Sequence, residues 1–153
     1  MFSYAKNNNF NWGFINEYED VSLDVTSINL PSISRDVSEI KNNGLSYNLS
    51  NTEFIFEELT MVFLLDSEFK NWRIFYDWLL SQYDPYEGKR TGWKRVDGIL
   101  SILDNGNKPI FHLMFEDLVP TTLSDVTFNT TSTDKVECSV TFKYQFYKFI
   151  EEK

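Results

Sequence analysis

Apolar and polar residues alternate with a period of two along several stretches of the chain, the longest near the C-terminus. There Val136, Cys138, Val140, Phe142, Tyr144 and Phe146 alternate with Glu137, Ser139, Thr141, Lys143 and Gln145, the pattern of one long strand with a single buried face. Val21, Leu23 and Val25 alternate with Ser22, Asp24 and Thr26. Pro31 ends this second segment and, lacking an N–H, bars it from a central ladder. Between Leu59 and Leu65, Met61, Phe63 and Leu65 share one face while Val62 and Leu64 take the other, so both faces are expected to be covered. Asn105-Gly106 separates the apolar runs Ile99 to Leu103 and Ile110 to Phe115, which predicts an antiparallel hairpin around a pair that tolerates positive φ. Asn43-Gly44 does the same between Ile40 and Leu45, inside the polar stretch Ser34 to Glu53, and predicts a second hairpin that projects from the body.

One segment changes period. Phe69, Trp72, Phe75, Tyr76, Leu79 and Tyr83 recur at three- and four-residue spacing with Lys70, Arg73 and Asp77 opposite, which predicts a helix of roughly 14 to 17 residues. Trp72, Phe75 and Leu79 are its expected core positions, and Asp66 or Ser67 its N-cap. Pro85 marks its end. Strands, one helix and more strands joined by hairpins predict a mainly β fold, an antiparallel barrel or sandwich with one packed α-helix.

The chain has 153 residues, 42% of them hydrophobic and 17% aromatic, enough to build a single domain over residues 1–153 around one core. No run approaches the ~20 apolar residues of a membrane-spanning helix, and the start lacks a secretory apolar segment, so no membrane partner is expected. The single cysteine, Cys138, excludes an internal disulfide and a thiolate zinc site, which suits a reducing cytoplasm. A net charge of −9 makes wrapping around a polyanion unfavourable, because that binding depends on cations.

Catalytic side chains are scarce, and no catalytic, metal or cofactor site is predicted. His112, the only histidine, sits in the alternation of the Asn-Gly hairpin and reads as structural. Cys138 lies on an apolar face and reads as an inert thiol. The acids Glu17, Glu19 and Asp20, or Glu57 and Glu58, match no calcium-loop spacing. Asn48-Leu49-Ser50 and Asn129-Thr130-Thr131 match glycosylation acceptors, which carry no meaning without a secretory route. The segment Lys89, Arg90, Lys94, Arg95 concentrates cations in an acidic chain; it reads either as a solvated loop or as an electrostatic latch for a phosphate or an acidic surface. The aromatic content exceeds what a small interior holds, which points to rings in a subunit interface.

The order of features resembles the tail tube protein family of contractile-tailed phages. An N-terminal strand at Asn11 to Asn16 precedes VTSINLPS (Val25 to Ser32), similar to the family's strand ending in a Leu-Pro turn. A polar projecting segment follows, then LTMVFLLDSEFKNWRIFYDWL (Leu59 to Leu79), which resembles the family's strand-into-helix stretch. FEDLVPTTLSDVTFNTTSTDKVECSVTFKYQFY (Phe115 to Tyr147) resembles its late turn and final strand, with Pro120, Val126 and Phe128 in place. Leu118 and Val119 stand where the family has glycine before that proline, which leaves open a tube, a baseplate ring or a tail-end ring.

The resemblance implies a structural protein of the virion tail, assembled in the host cytoplasm, with no catalysis and no cofactor. It implies hexameric rings, each closing strands of several subunits into one barrel, stacked into a tube through which DNA leaves without specific binding. Sheath and baseplate proteins are the implied partners. In such a ring the polar faces of the two alternating strands line the lumen, which nominates Asp24, Glu137 and Lys143. The segment Ser34 to Glu53, too polar for a core, nominates Ile40, Leu45, Tyr47 and Leu49 as inter-subunit anchors. Two rival classes are a ligand-binding β-sandwich that recognises carbohydrate through exposed Trp and Tyr, and an enzyme built on His112 beside a carboxylate.

Overall fold

A computed structural model describes residues 8–15, 23–42, 45–82 and 94–150 together with Tyr4, Lys6 and Gly88; over 36–42 and 45–53 it describes the backbone alone. In chain order the elements are β1 (Phe10–Ile15), β2 (Asp24–Ile28), β3 (Ile33–Asn42), β4 (Leu45–Phe56), β5 (Leu59–Leu64), α1 (Lys70–Gln82), β6 (Val96–Leu103), β7 (Pro109–Leu123), β8 (Glu137–Lys143) and β9 (Phe146–Ile150). Seven strands form one antiparallel sheet in the order β1-β6-β7-β8-β5-β2, with β9 also paired to β7. β1 and β2 stand at its two ends and do not pair with one another, so the sheet stays open within the subunit. Val21 and Ser22 of the second expected strand lie outside the described residues, and the strand observed there begins at Asp24. Its place at the edge agrees with Pro31 just beyond it.

The expected single strand from Val136 to Phe146 is instead two strands around a corner. β7 bends where it passes from β9 to β8: Asp117 takes a φ of 59° and its N–H donates to Asp97 Oδ1 at 3.0 Å. Opposite it the chain turns at Tyr144 and Gln145, whose N–H donates to Glu116 O at 2.9 Å. The corner consumes one residue of the alternation. Tyr144 and Tyr147 therefore pack on the core, and Phe146, expected inward, does not.

The core lies between the inner faces of this bent sheet and α1. Leu59, Met61 and Phe63 of β5 and Cys138, Val140 and Phe142 of β8 are buried, while Thr60, Val62 and Leu64 are half-buried on the reverse face. Phe14 meets Phe75, Trp78 and Phe142 with ring centroids 6.1 to 6.3 Å apart. Trp12 packs so tightly on β6 that a Cβ at Gly98 would approach its ring to 2.5 Å; only glycine fits there.

The helix presents a different stripe from the one its periodicity predicts. Phase moves toward Asn71, Phe75 and Trp78, which are buried, and leaves Trp72 and Leu79 half-buried. Hydrogen bonds set this phase. Asn71 Nδ2 donates to Leu64 O at 2.8 Å, and Trp78 Nε1 donates to Lys94 O at 2.6 Å, giving two polar groups a satisfied place inside. At the far end Gln82 Nε2 donates to Pro120 O at 2.8 Å.

Both predicted hairpins form, and the described turn, between β6 and β7, differs from the expected one. β6 and β7 are joined through Asp104 to Lys108, and the positive φ falls on Asn107 at 62° rather than on Asn105 or Gly106. Asp104 Oδ1 holds the loop by accepting from the N–H groups of Gly106 and Lys108 at 2.8 and 2.9 Å. β3 and β4 form a separate two-stranded ribbon whose register closes at Asn42 and Leu45; Asn43 and Gly44 lie outside the described residues.

Candidate assembly surfaces

The reverse face of the sheet is the first surface. Directly paired residues of adjacent strands share a face, and the register aligns Asp24 with Leu64 and Leu64 with Glu137 across β2, β5 and β8. The two carboxylate residues are thus in one cross-strand row, roughly 10 Å apart at two strand spacings. Along β8 the same face carries Ser139, Thr141 and Lys143, and Thr60 Oγ1 lies 3.2 Å from Thr141 Oγ1. Lys143 stands at the opposite end from Glu137, its Nζ 3.9 Å from Glu58 Oε1. All three residues nominated for a lumen therefore occupy one solvent-facing surface, shared with the half-buried Val62 and Leu64, with the carboxylates together at one end.

The second surface is the ribbon. At its root Tyr147 Oη donates to Pro31 O at 2.9 Å and Tyr144 Oη to Glu57 O at 2.7 Å, while the Phe56 ring lies 5.2 Å from that of Tyr147. Burial, and secondarily the neighbouring Tyr147 and Glu57, push the Tyr144 phenol well above its ordinary value. Beyond the root β3 and β4 make no extensive contact with another element. Register pairs Ser38 with Leu49, Ile40 with Tyr47 and Asn42 with Leu45, so Ile40, Leu45, Tyr47 and Leu49 occupy positions on one face. The alternate pairs, Val37–Ser50, Glu39–Asn48 and Lys41–Ser46, take the other face and are mostly polar.

The third surface surrounds the helix start. Asp66 caps it: Oδ1 accepts from the N–H groups of Lys70 and Glu68 at 2.8 and 3.1 Å, and Oδ2 from Asn71 at 3.2 Å. The backbone hydrogen bond from Lys70 leads in holding the Asp66 carboxyl below the ordinary value, desolvation opposes it, and the remaining amides and the Lys70 charge add to the lowering. Phe69 sits at φ 57° and stacks on Phe128 of the β7–β8 loop at 5.8 Å; Phe128 is 72% exposed. Trp72 stacks on Tyr76 at 5.2 Å. The sequence pattern had no signal for the Phe69–Phe128 pair, because neither the left-handed backbone nor the loop's return to the helix is a periodic feature.

The remaining candidates are dispersed. Of the cationic segment, Lys89 and Arg90 lie outside the described residues. Lys94 gives its carbonyl to Trp78, and Arg95 Nη1 lies 3.9 Å from Asp117 Oδ2. His112 Nδ1 is 2.7 Å from Ser101 Oγ. Cys138 is buried, its Sγ 3.5 Å from Ser124 Oγ. Glu17, Glu19 and Asp20 lie outside the described residues. Among the described residues no group of three or more His, Cys, Asp or Glu could hold a metal ion, and no helix is long and apolar enough to cross a membrane.

No family model matches the chain, and neither does any curated protein. Solved structures do. A chain of an extracellular contractile injection system, the PVC sheath/tube terminator in its extended state, superposes with a TM-score of 0.74 at 14% identity, covering 99% of both chains. A chain of the anti-feeding prophage baseplate, 6-fold symmetrised, gives 0.73 at 14% identity over 98% of this chain and 97% of that one. A chain of the PVC sheath-tube complex gives 0.67 at 13% identity over 95% and 90%. At these identities the likeness is one of fold, and the chain has the tube-like fold of contractile injection systems.

Proposed function

We propose that this chain is a ring-forming structural subunit of the tube of a contractile tail or injection apparatus. The observation that carries the reading is the whole-chain superposition on tube, terminator and baseplate chains. Two physical features support it. Among the described residues no further strand pairs with β1 or β2 at the two ends of the sheet, and such edges need a neighbour or a cover. The ribbon places Ile40, Leu45, Tyr47 and Leu49 at positions on one face and makes no extensive contact with another described element, and an isolated two-stranded hairpin is marginal by itself.

In the proposed assembly, six subunits close a ring, the face bearing Asp24, Glu137 and Lys143 lines the lumen, and the ribbon contacts a neighbouring subunit. Sheath and baseplate proteins are its partners, DNA passes through the lumen without specific binding, and no cofactor or catalytic step is assigned. Light scattering and negative-stain microscopy across a wide concentration range test the reading. Rings or tubes are expected, with or without a preformed baseplate as template. Monomers under all these conditions would overturn it.

A second reading is a ring that ends the tube, favoured by the terminator chain, which matches over 99% of both lengths. Adding the protein to preformed tubes separates the two. A tube subunit extends them; a terminator stops their growth.

A further inference from the structure

We infer that residues 29–32 and 57–58 form a hinge within one continuous two-stranded hairpin, and that the hydroxyls of Tyr144 and Tyr147 latch this hinge, fixing the direction in which the β3–β4 ribbon leaves the sheet. The inference concerns a single subunit and does not depend on the tube reading.

Continuity of register identifies the hinge. β2 pairs with β5 up to Ile28 and Met61, and β3 pairs with β4 from Ile33 and Phe56. The stretches between these pairs are 29–32 on one strand and 57–60 on the other, equal in length, so the ribbon extends the β2–β5 pair outward in the same register. Regular strand is nevertheless interrupted at 29–32 and at 57–58. Pro31 has no N–H to give to a ladder, and Thr60 N donates to the side-chain Oδ1 of Asn29 at 2.7 Å. Asn29 N to Thr60 O at 3.2 Å and Glu57 N to Ser32 O at 3.1 Å close the two sides of the gap. β3 and β4 make no extensive contact with another described element. Bending therefore costs least at this gap, where the regular ladder is weakest.

The corner between β8 and β9 supplies the latch. Tyr144 Oη donates to Glu57 O at 2.7 Å and Tyr147 Oη donates to Pro31 O at 2.9 Å, so each strand of the hairpin is held once inside the gap. One such contact is a pivot; two on opposite strands resist swing and twist together. Both tyrosine rings rest on the buried Phe115 with centroids 5.1 Å away, and Phe56, the last residue of β4, packs on them at 6.2 and 5.2 Å. The latch is thus anchored in the core. It exists because the turn at Gln145 shifts the alternation and brings both tyrosines inward; an unbroken strand would present Phe146, which has no hydroxyl, in place of Tyr147. Lys143 and Glu58 approach to 3.9 Å at the same root, but both side chains are exposed and such a pair contributes little.

The test reads the direction of the ribbon in the full chain. Ser46→Cys, in the outer part of the ribbon, and Asp77→Cys, on the exposed face of α1, carry nitroxide labels, while the native Cys138 is buried and takes none. Each labelled protein is diluted into its unlabelled counterpart, so that double electron–electron resonance reports distances within one subunit. One narrow distance is expected with the native tyrosines. Tyr144→Phe combined with Tyr147→Phe keeps both rings and removes both hydroxyls; far-UV circular dichroism should be unchanged and the narrow distance lost to a broad distribution. A double variant as narrow as the protein with native tyrosines, or a distribution already broad with them, overturns the latch. Should the double variant fail to fold, the two single variants decide: each is expected to broaden the distribution, and unchanged widths in both overturn the inference.

Discussion

Trp78 ties α1 to the rest of the fold in two ways, since its ring is enclosed by Phe14, Phe75 and Phe142 and its Nε1 donates to Lys94 O at 2.6 Å. Trp78→Ala should therefore cost ~3–5 kcal/mol, the range for deleting a large buried aromatic, a large share of a total stability of ~5–15 kcal/mol. Trp72→Ala, at a half-buried position that packs against the edge of the core and stacks on Tyr76, should cost less. Urea denaturation of the two variants checks the order; equal losses would mean that the helix presents a different face. Asp66 gives a pH signature at the same helix. Its folded pKa lies below the ordinary carboxylate value, so its contribution is fully present above that ordinary value and is lost as the pH falls through the lowered one. Asp66→Asn retains an acceptor but cannot titrate. The stability difference between wild type and this variant should hold from neutral pH down to about pH 4, near the ordinary carboxylate value, and shrink below it; a difference that stays constant down to pH 2 would refute the cap's ionic character.

The ribbon behaves as an element apart, which makes a clean excision possible. Residues 38–49 can be removed and Val37 rejoined to Ser50, its register partner, through Asn-Gly, the pair suited to a two-residue turn. Because β3 and β4 contact little beyond each other, the shortened protein should keep its stability within about 0.5 kcal/mol, as for surface changes generally, while sedimentation shows assembly abolished. Tubes of normal length from this variant would remove the ribbon from the interface. Both hairpins were legible in the sequence because Asn-Gly pairs punctuate alternating runs, and Ile40, Leu45, Tyr47 and Leu49 stand out there as apolar residues in a polar stretch. Their alignment on one face is a consequence of register, which no local pattern contains. The corner between β8 and β9 was not legible for a related reason: Phe146 and Tyr147 are both apolar enough to face inward, and only the bend at Asp117 decides between them. The helix phase escaped because Asn71 and the Trp78 indole are buried through hydrogen bonds, a signal absent from hydrophobic spacing. Asp104 organises the β6–β7 turn beside the Asn-Gly pair that announced it.

At the scale of the whole molecule the question is how a duplex could slide along the proposed lumen without being held. Each lysine or arginine that neutralised a phosphate would add salt-dependent affinity, and stacked rings would repeat the contact along the duplex until it was trapped. The chain carries 23 acidic against 14 basic residues, and its register sets Asp24 and Glu137 in one row with Leu64 between them. At about 10 Å apart, the two carboxylates lie close to one Debye length of ~8 Å at physiological salt, so they act nearly as separate charges and neither needs a bound cation to coexist with the other. Lys143 does not offset them. It stands at the far end of β8, six residues on, and is itself 3.9 Å from Glu58. A ring would thus carry a belt of negative charge at one level of the lumen. Asp24→Lys combined with Glu137→Lys reverses that belt at two exposed strand positions, so the subunit should fold and assemble as before. Tubes of the double variant should retain duplex DNA at low salt and release it steeply as salt rises, whereas wild-type tubes should retain none at physiological salt. Wild-type tubes that hold DNA, or double-variant tubes that are no stickier than wild type, would remove Asp24 and Glu137 from the lumen and place that face of the sheet on the outside of the ring.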